Sequence, residues 1–110
     1  MITRFAFFEG TLKEGSQQAF EAFAIERLAP VWKQFTGASE VRVMFSQDRD
    51  EGAPEFPLIL AISYPDLAAM DKALESDARA KSKELTGEMV DAYFDGKIHH
   101  HVTTCNHFDT

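Results

Sequence analysis

The segment Ile98-His99-His100-His101-Val102 is where residue type and spacing bear most directly on chemistry. Imidazole titrates near neutrality, so it can take up and return protons. On a strand, alternation puts His99 and His101 on one face and His100 on the other. A one-residue change of phase exchanges the pair for the single ring. A pair on a pocket wall would serve as general base and general acid. Arg4 and Arg42 can anchor a carboxylate or stabilise an oxyanion or enolate. Tyr64 can donate a hydrogen bond to a substrate carbonyl.

Each of these residues also has a plainer use. Histidines are often structural or solvated, the arginines have Glu9 and Glu40 as available ion-pair partners, and a tyrosine can simply pack its ring and wet its hydroxyl. A metal reading would join His99 and His101 to His107. No spacing fixes a further ligand, and neither H-E-x-x-H nor C-x-x-C occurs, so the expected metal complement is none. The acidic stretch Asp48-Arg49-Asp50-Glu51-Gly52 lacks the later bidentate acid of a calcium loop. No phosphate-binding glycine loop is present, which argues against a nucleotide cofactor.

Composition narrows the setting. The chain has 110 residues, 45% of them hydrophobic and 26% charged, with a net charge of −7. That length and balance fit one folded domain over residues 1–110 with a real core. The acidic balance argues against nucleic acid and against anionic membrane surfaces as partners. It leaves room for an anionic small ligand, because a few cations can still line a pocket. The single cysteine, Cys105, excludes an intrachain disulfide framework and reads as a small half-buried thiol. No apolar run approaches the roughly 18 residues of a membrane span, and the first residues lack a signal-peptide pattern. A cytoplasmic protein is the expectation.

The elements that must position these side chains follow from periodicity. Ile2 to Phe8 reads as a first strand closed by Glu9-Gly10. Ser16 offers an N-cap, and Phe20, Phe23, Ala24, Leu28, Val31 and Phe35 follow at helical spacing until Gly37. Pro30 removes a backbone donor and should kink or split this helix near Glu26–Leu28. Trp32 and the phenylalanine stripe read as core. Glu40 to Ser46 alternates as strand two, Gln47 to Pro57 is an acidic connection, and Leu58 to Tyr64 is strand three. Pro65-Asp66 opens a second helix, which Ser76-Asp77 interrupts and which resumes through Leu85, Met89 and Tyr93. Asp95-Gly96 should end it with a left-handed residue. Lys97 to Thr104 is strand four. The order predicts a ferredoxin-like α+β fold, βαββαβ, with a four-stranded antiparallel sheet and both helices on one face.

The second sheet face is then open. Alternation suggests that Phe5, Phe7, Val41, Val43, Phe45, Ile98 and Val102 face the helices. The opposite face would carry Arg4, Phe8, Arg42, Met44, Tyr64, His99 and His101 among further apolar residues. Such a face is too apolar for water. A second copy is the simplest cover, which would make a homodimer enclosing a barrel-like pocket.

The chain resembles the dimeric α+β-barrel superfamily over nearly its whole length. The local match is to EthD-like sequences, through Leu28-Ala29-Pro30-Val31, Phe35-Thr36-Gly37 and Tyr64-Pro65-Asp66 with Ala69-Met70 and Ala73-Leu74. EthD-like proteins often carry a histidine two positions before the helix-one proline. Here that position is Leu28, so a role resting on that histidine does not carry over. The strand-four histidines also resemble those of RedY-like proteins of pigment biosynthesis. The superfamily hosts several chemistries, and the residues together with the expected pocket lead to a cofactor-free enzyme, such as a cyclase or isomerase, acting on an aromatic or polyketide-like metabolite. In that reading His99, His101 and Tyr64 are catalytic, while Arg4, Arg42, His100, Phe8 and Met44 bind substrate. The alternatives are a cofactor-free monooxygenase, and a non-catalytic barrel that carries a hydrophobic metabolite or a haem with one histidine as axial ligand.

Overall fold

The computed structural model describes all 110 residues. Strand β1 (Ile2–Leu12) is followed by helix α1 (Gln17–Phe23), a π-helical turn (Ala24–Leu28) and helix α2 (Ala29–Trp32). Strands β2 (Glu40–Phe45) and β3 (Leu58–Tyr64) come next, then helices α3 (Leu67–Leu74) and α4 (Asp77–Tyr93), and finally strand β4 (Phe94–Thr104). All strand pairings are antiparallel, in the order β2-β3-β1-β4. This is the predicted ferredoxin-like α+β arrangement. No helix is long and apolar enough to cross a membrane.

Local chemistry explains the helix boundaries. The π-helical turn lies where Pro30 was expected to disturb the first helix: the Ala29 amide reaches back five residues to the Ala24 carbonyl. Asp66 caps α3 by accepting from the Ala69 amide at 2.8 Å, and Ser76 caps α4 by accepting from the Arg79 amide at 3.3 Å. Ser16 precedes α1 but makes no side-chain cap bond.

Two boundaries differ from expectation. β1 runs through Glu9-Gly10 to Leu12, and β4 starts at Phe94 directly from α4. Gly96 is therefore a strand residue paired with Gly10, not a left-handed helix stop. A Cβ on either glycine would run into the backbone of the other strand, so this pairing needs both.

The facing of β1 and β3 is the main correction. The core contains Ala6 and Phe8 from β1 and Leu58, Leu60, Ile62 and Tyr64 from β3, packed against Phe20, Leu28, Trp32 and Met89. Phe5 and Phe7 lie on the open face instead. Register propagates this assignment. Phe5 pairs with Ala61 and His101, and Phe7 pairs with Ile59 and His99, all on the open side. Strands β2 and β4 keep their expected phase, with Val41, Val43, Phe45 and Ile98 packed on the core.

Candidate functional site

The phase of β1 divides the candidate residues between two faces. Arg4, Phe8, Tyr64 and His100 lie on the helix side of the sheet. Arg42, Met44, His99 and His101 lie on the open side. The expected grouping of Arg4, Phe8 and Tyr64 with His99 and His101 does not form, because these sets point away from each other through the sheet.

The helix side holds a cavity of about 370 Å³ between the sheet and α4. Its floor is buried and mostly apolar: Ala6, Phe8 and Leu60 from the sheet, Trp32 from α2, and Ser82 from α4. Its mouth is marked by the exposed residues Lys83, Gly87, Asp91 and His100. The small side chain of Ala6 leaves the space. Trp32, 1% exposed, donates its indole N–H to Ser82 Oγ at 2.9 Å, which satisfies both buried polar groups.

Electrostatics gather at the N-terminal end of α4. Arg4 on β1, Arg79 on α4, Tyr64 on β3 and His100 on β4 lie close enough to act on one another. Partial burial at the cavity mouth, then the charges of Arg4, Arg79 and His99, pull His100 down to about 4. Its imidazole is therefore neutral at neutral pH, with one ring nitrogen free to accept. Burial and the Arg79 charge hold the Arg4 guanidinium below its ordinary value, against an opposing influence of Tyr64. Burial raises the Tyr64 phenol, against the pull of both arginines. Of these four groups His100 and Arg79 line the apolar cavity, where a neutral ring can accept a proton and a guanidinium can stabilise negative charge on a bound molecule.

Sequence reasoning missed Arg79, Ser82 and Lys83 and assigned Trp32 to core alone. The available signal was the polar series Arg79, Ser82, Lys83 and Thr86, which recurs at i, i+3, i+4 and i+7 on one side of a helix. The apolar series Leu85 and Met89 drew the reading to the other side.

The open face has a different character. His99 Nε2 lies 2.9 Å from Glu9 Oε1. The His101 ring meets Phe7 edge-on at 5.3 Å between centroids, and Phe7 stacks on Phe5 at 5.5 Å. Phe7, Glu9, Phe56, His99 and His101 border a shallow concavity. Arg42 is paired with Glu40 on the same face. No cluster of three or more His, Cys, Asp or Glu side chains has an arrangement that could hold a metal ion; His107 instead pairs with Asp109 at 3.1 Å.

No family model matches the sequence, nor does any curated protein. Solved structures do match. An ethyl tert-butyl ether D (EthD) family protein from Bacillus halodurans C-125 superimposes with a TM-score of 0.72 at 18% identity, covering 96% of this chain and 99% of that one. The shared fold is the ferredoxin-like α+β fold. SnoaB, a cofactor-independent oxygenase from Streptomyces nogalater, matches with a TM-score of 0.62 at 16% identity over 97% of this chain and 94% of its own. A dimeric ferredoxin-like protein of unknown function from Jannaschia sp. CCS1 matches with a TM-score of 0.66 at 15% identity over 94% and 98%. At these identities the likeness carries the fold and not the reaction.

Proposed function

We propose that the chain is a small-molecule enzyme working without a cofactor, and that its site is the cavity between the sheet and α4. The observation that carries this reading is the cavity itself: an apolar floor whose wall also carries the neutral His100 imidazole and the unpaired Arg79 guanidinium. In this reading His100 accepts a proton from an activated carbon or phenol of the bound metabolite. Arg79, with Arg4 beside it, holds the negative charge that develops, and the apolar floor excludes water. Proton return at another atom gives an isomerisation, and attack on a neighbouring carbonyl gives a ring closure, as a cyclase would do. SnoaB being a cofactor-independent oxygenase favours a second outcome for the same anion, reaction with dioxygen. A carrier function would leave the bound molecule unchanged.

The same proposal pairs two copies through their open faces. Phe5, Phe7, Ile59 and Met44 there are incompletely buried, and apolar side chains left in water forgo about 1.5–3 kcal/mol each. Two solved relatives of the fold are dimeric. In such a pair His99, His101 and Arg42 lie between the protomers rather than in the cavity. The lone, unpaired Cys105 suits a cytoplasmic setting.

Native mass spectrometry of the protein isolated from its own host tests this reading. The expected result is a dimer retaining a small apolar molecule, which purified protein converts and His100→Phe protein does not. A monomer with an empty cavity would overturn it. A retained molecule that comes through incubation unchanged would leave only the carrier.

A further inference from the structure

The chain has five arginines. Three are paired with glutamates: Arg27 with Glu88, Arg42 with Glu40, and Arg49 with Glu55. The other two, Arg4 and Arg79, make no ion pair and no side-chain hydrogen bond; Arg79 lines the cavity, and its charge acts on Arg4 beside it. In a chain with 18 acidic and 11 basic residues, two partly buried cations left without an acid run against the composition.

Arg79 lines the cavity, and Arg4 stands on the same sheet face as His100, another lining residue, since Ala6 pairs with His100 and Arg4 with Val102 on β4. Two unpaired guanidiniums, one in the wall of an apolar cavity and one beside it, form a receptor for an anion that the protein itself does not supply.

We propose that the cavity binds an apolar, typically aromatic, monocarboxylate, with its carboxylate seated at Arg79 on the side toward Arg4 and its uncharged body over Ala6, Leu60 and Trp32. The proposal rests on the cavity being the ligand site and adds the charge and shape of what enters it. One negative charge is set by the two ends of α4. Asp91 lies twelve residues beyond Arg79, about 18 Å along the helix, and disfavours a second anion at that end of the cavity.

Trp32 is the only tryptophan and lines the cavity, so its single indole N–H resonance reports on occupancy. The test is a titration of the full-length, 15N-labelled protein with trans-cinnamate and, separately, with the isosteric neutral trans-cinnamamide. Cinnamate is expected to shift the Trp32 indole signal saturably, with affinity about tenfold or more above that of the amide, the size of a charge-assisted hydrogen-bond set. Arg79→Gln should reduce cinnamate to the level of the amide, and Arg79→Lys should fall between them. Equal affinity of the two compounds for the unmodified protein would overturn the carboxylate assignment while leaving the cavity as a ligand site. Absence of a Trp32 shift with either compound would overturn both. The comparison of acid and amide needs no variant, so a misfolded substitution does not shield the proposal.

Discussion

The Trp32 indole nitrogen donates a 2.9 Å hydrogen bond to the Ser82 hydroxyl, joining α2 to α4 across fifty residues of sequence at the cavity floor. Trp32 is 1% exposed and Ser82 is 7% exposed, so neither group has bulk water to turn to. Ser82→Ala leaves the indole N–H without an acceptor and should cost about 1–3 kcal/mol. Urea denaturation followed by far-ultraviolet circular dichroism measures it. In the Trp32→Phe background the same change should cost much less, because the orphaned donor is gone. Equal losses in the two backgrounds would show that the bond contributes nothing.

Two glycines should respond to alanine in opposite directions. Gly10 has a φ of +153°, and a Cβ there meets the Asp95 and Gly96 backbone. Gly10→Ala therefore strains the β1–β4 pairing and should lower the thermal midpoint sharply or prevent soluble expression. Gly87 is helical and has nothing within 4 Å of its would-be Cβ. Gly87→Ala should stabilise by roughly 0.5–1 kcal/mol through helix propensity. Because Gly87 stands at the cavity mouth, Gly87→Phe should keep the fold and block ligand entry, read by loss of the ligand-induced Trp32 shift.

The pattern of these sites shows what the sequence could disclose. Alternation in Val41, Val43 and Phe45 placed β2 correctly because its other face is Glu40, Arg42 and Met44. The break in the first helix was legible because Pro30 lacks an amide hydrogen, although its π-helical form was not. The phase of β1 was not legible. Its two sides, Ile2-Arg4-Ala6-Phe8 and Thr3-Phe5-Phe7-Glu9, each mix apolar and polar residues, and β3 is apolar on both. Size then misled, since Phe5 and Phe7 look more like core than Ala6 does. The choice is made by packing: Phe8 and Ala6 join the core with Phe20, Trp32 and Phe94, and that same choice carries Arg4 and Tyr64 to the face of His100 instead of to that of His99 and His101. The partner on α4, Arg79, lies 75 residues from Arg4 in sequence, and no local pattern links them.

His100 gives a pH dependence whose sign is fixed. Its folded value is about 4, below the ordinary 6.5. Between those values the unfolded chain binds a proton at this position that the folded chain refuses, so protonation favours unfolding. The stability associated with a neutral His100 is full above pH 6.5 and is lost as pH falls from there toward 4. Thermal midpoints of the native protein should therefore drop more between pH 7 and 4.5 than those of His100→Asn, which does not titrate. A bound carboxylate offsets the charges of Arg4 and Arg79 and should raise the His100 value, seen as an upward shift in its ring-proton NMR titration. Parallel pH curves for the two proteins would refute this account.

The open face makes the last prediction. Phe7 stands at its centre, stacked on Phe5 and touching the Phe56 and His101 rings at centroid distances of 5.5 Å and 5.3 Å. If two copies join there, Phe7→Glu buries an unpaired carboxylate at the interface, a change that costs several kcal/mol on association. Light scattering coupled to size-exclusion chromatography should then report a dimer for the native chain and a monomer for the variant at micromolar concentration. The cavity lies on the other side of the sheet, so the monomer should keep its Trp32 response to cinnamate. A Phe7→Glu protein that remains dimeric would move the interface to the exposed strand edges at β2 and β4, and it would leave the aromatic face with His99 and His101 open to solvent.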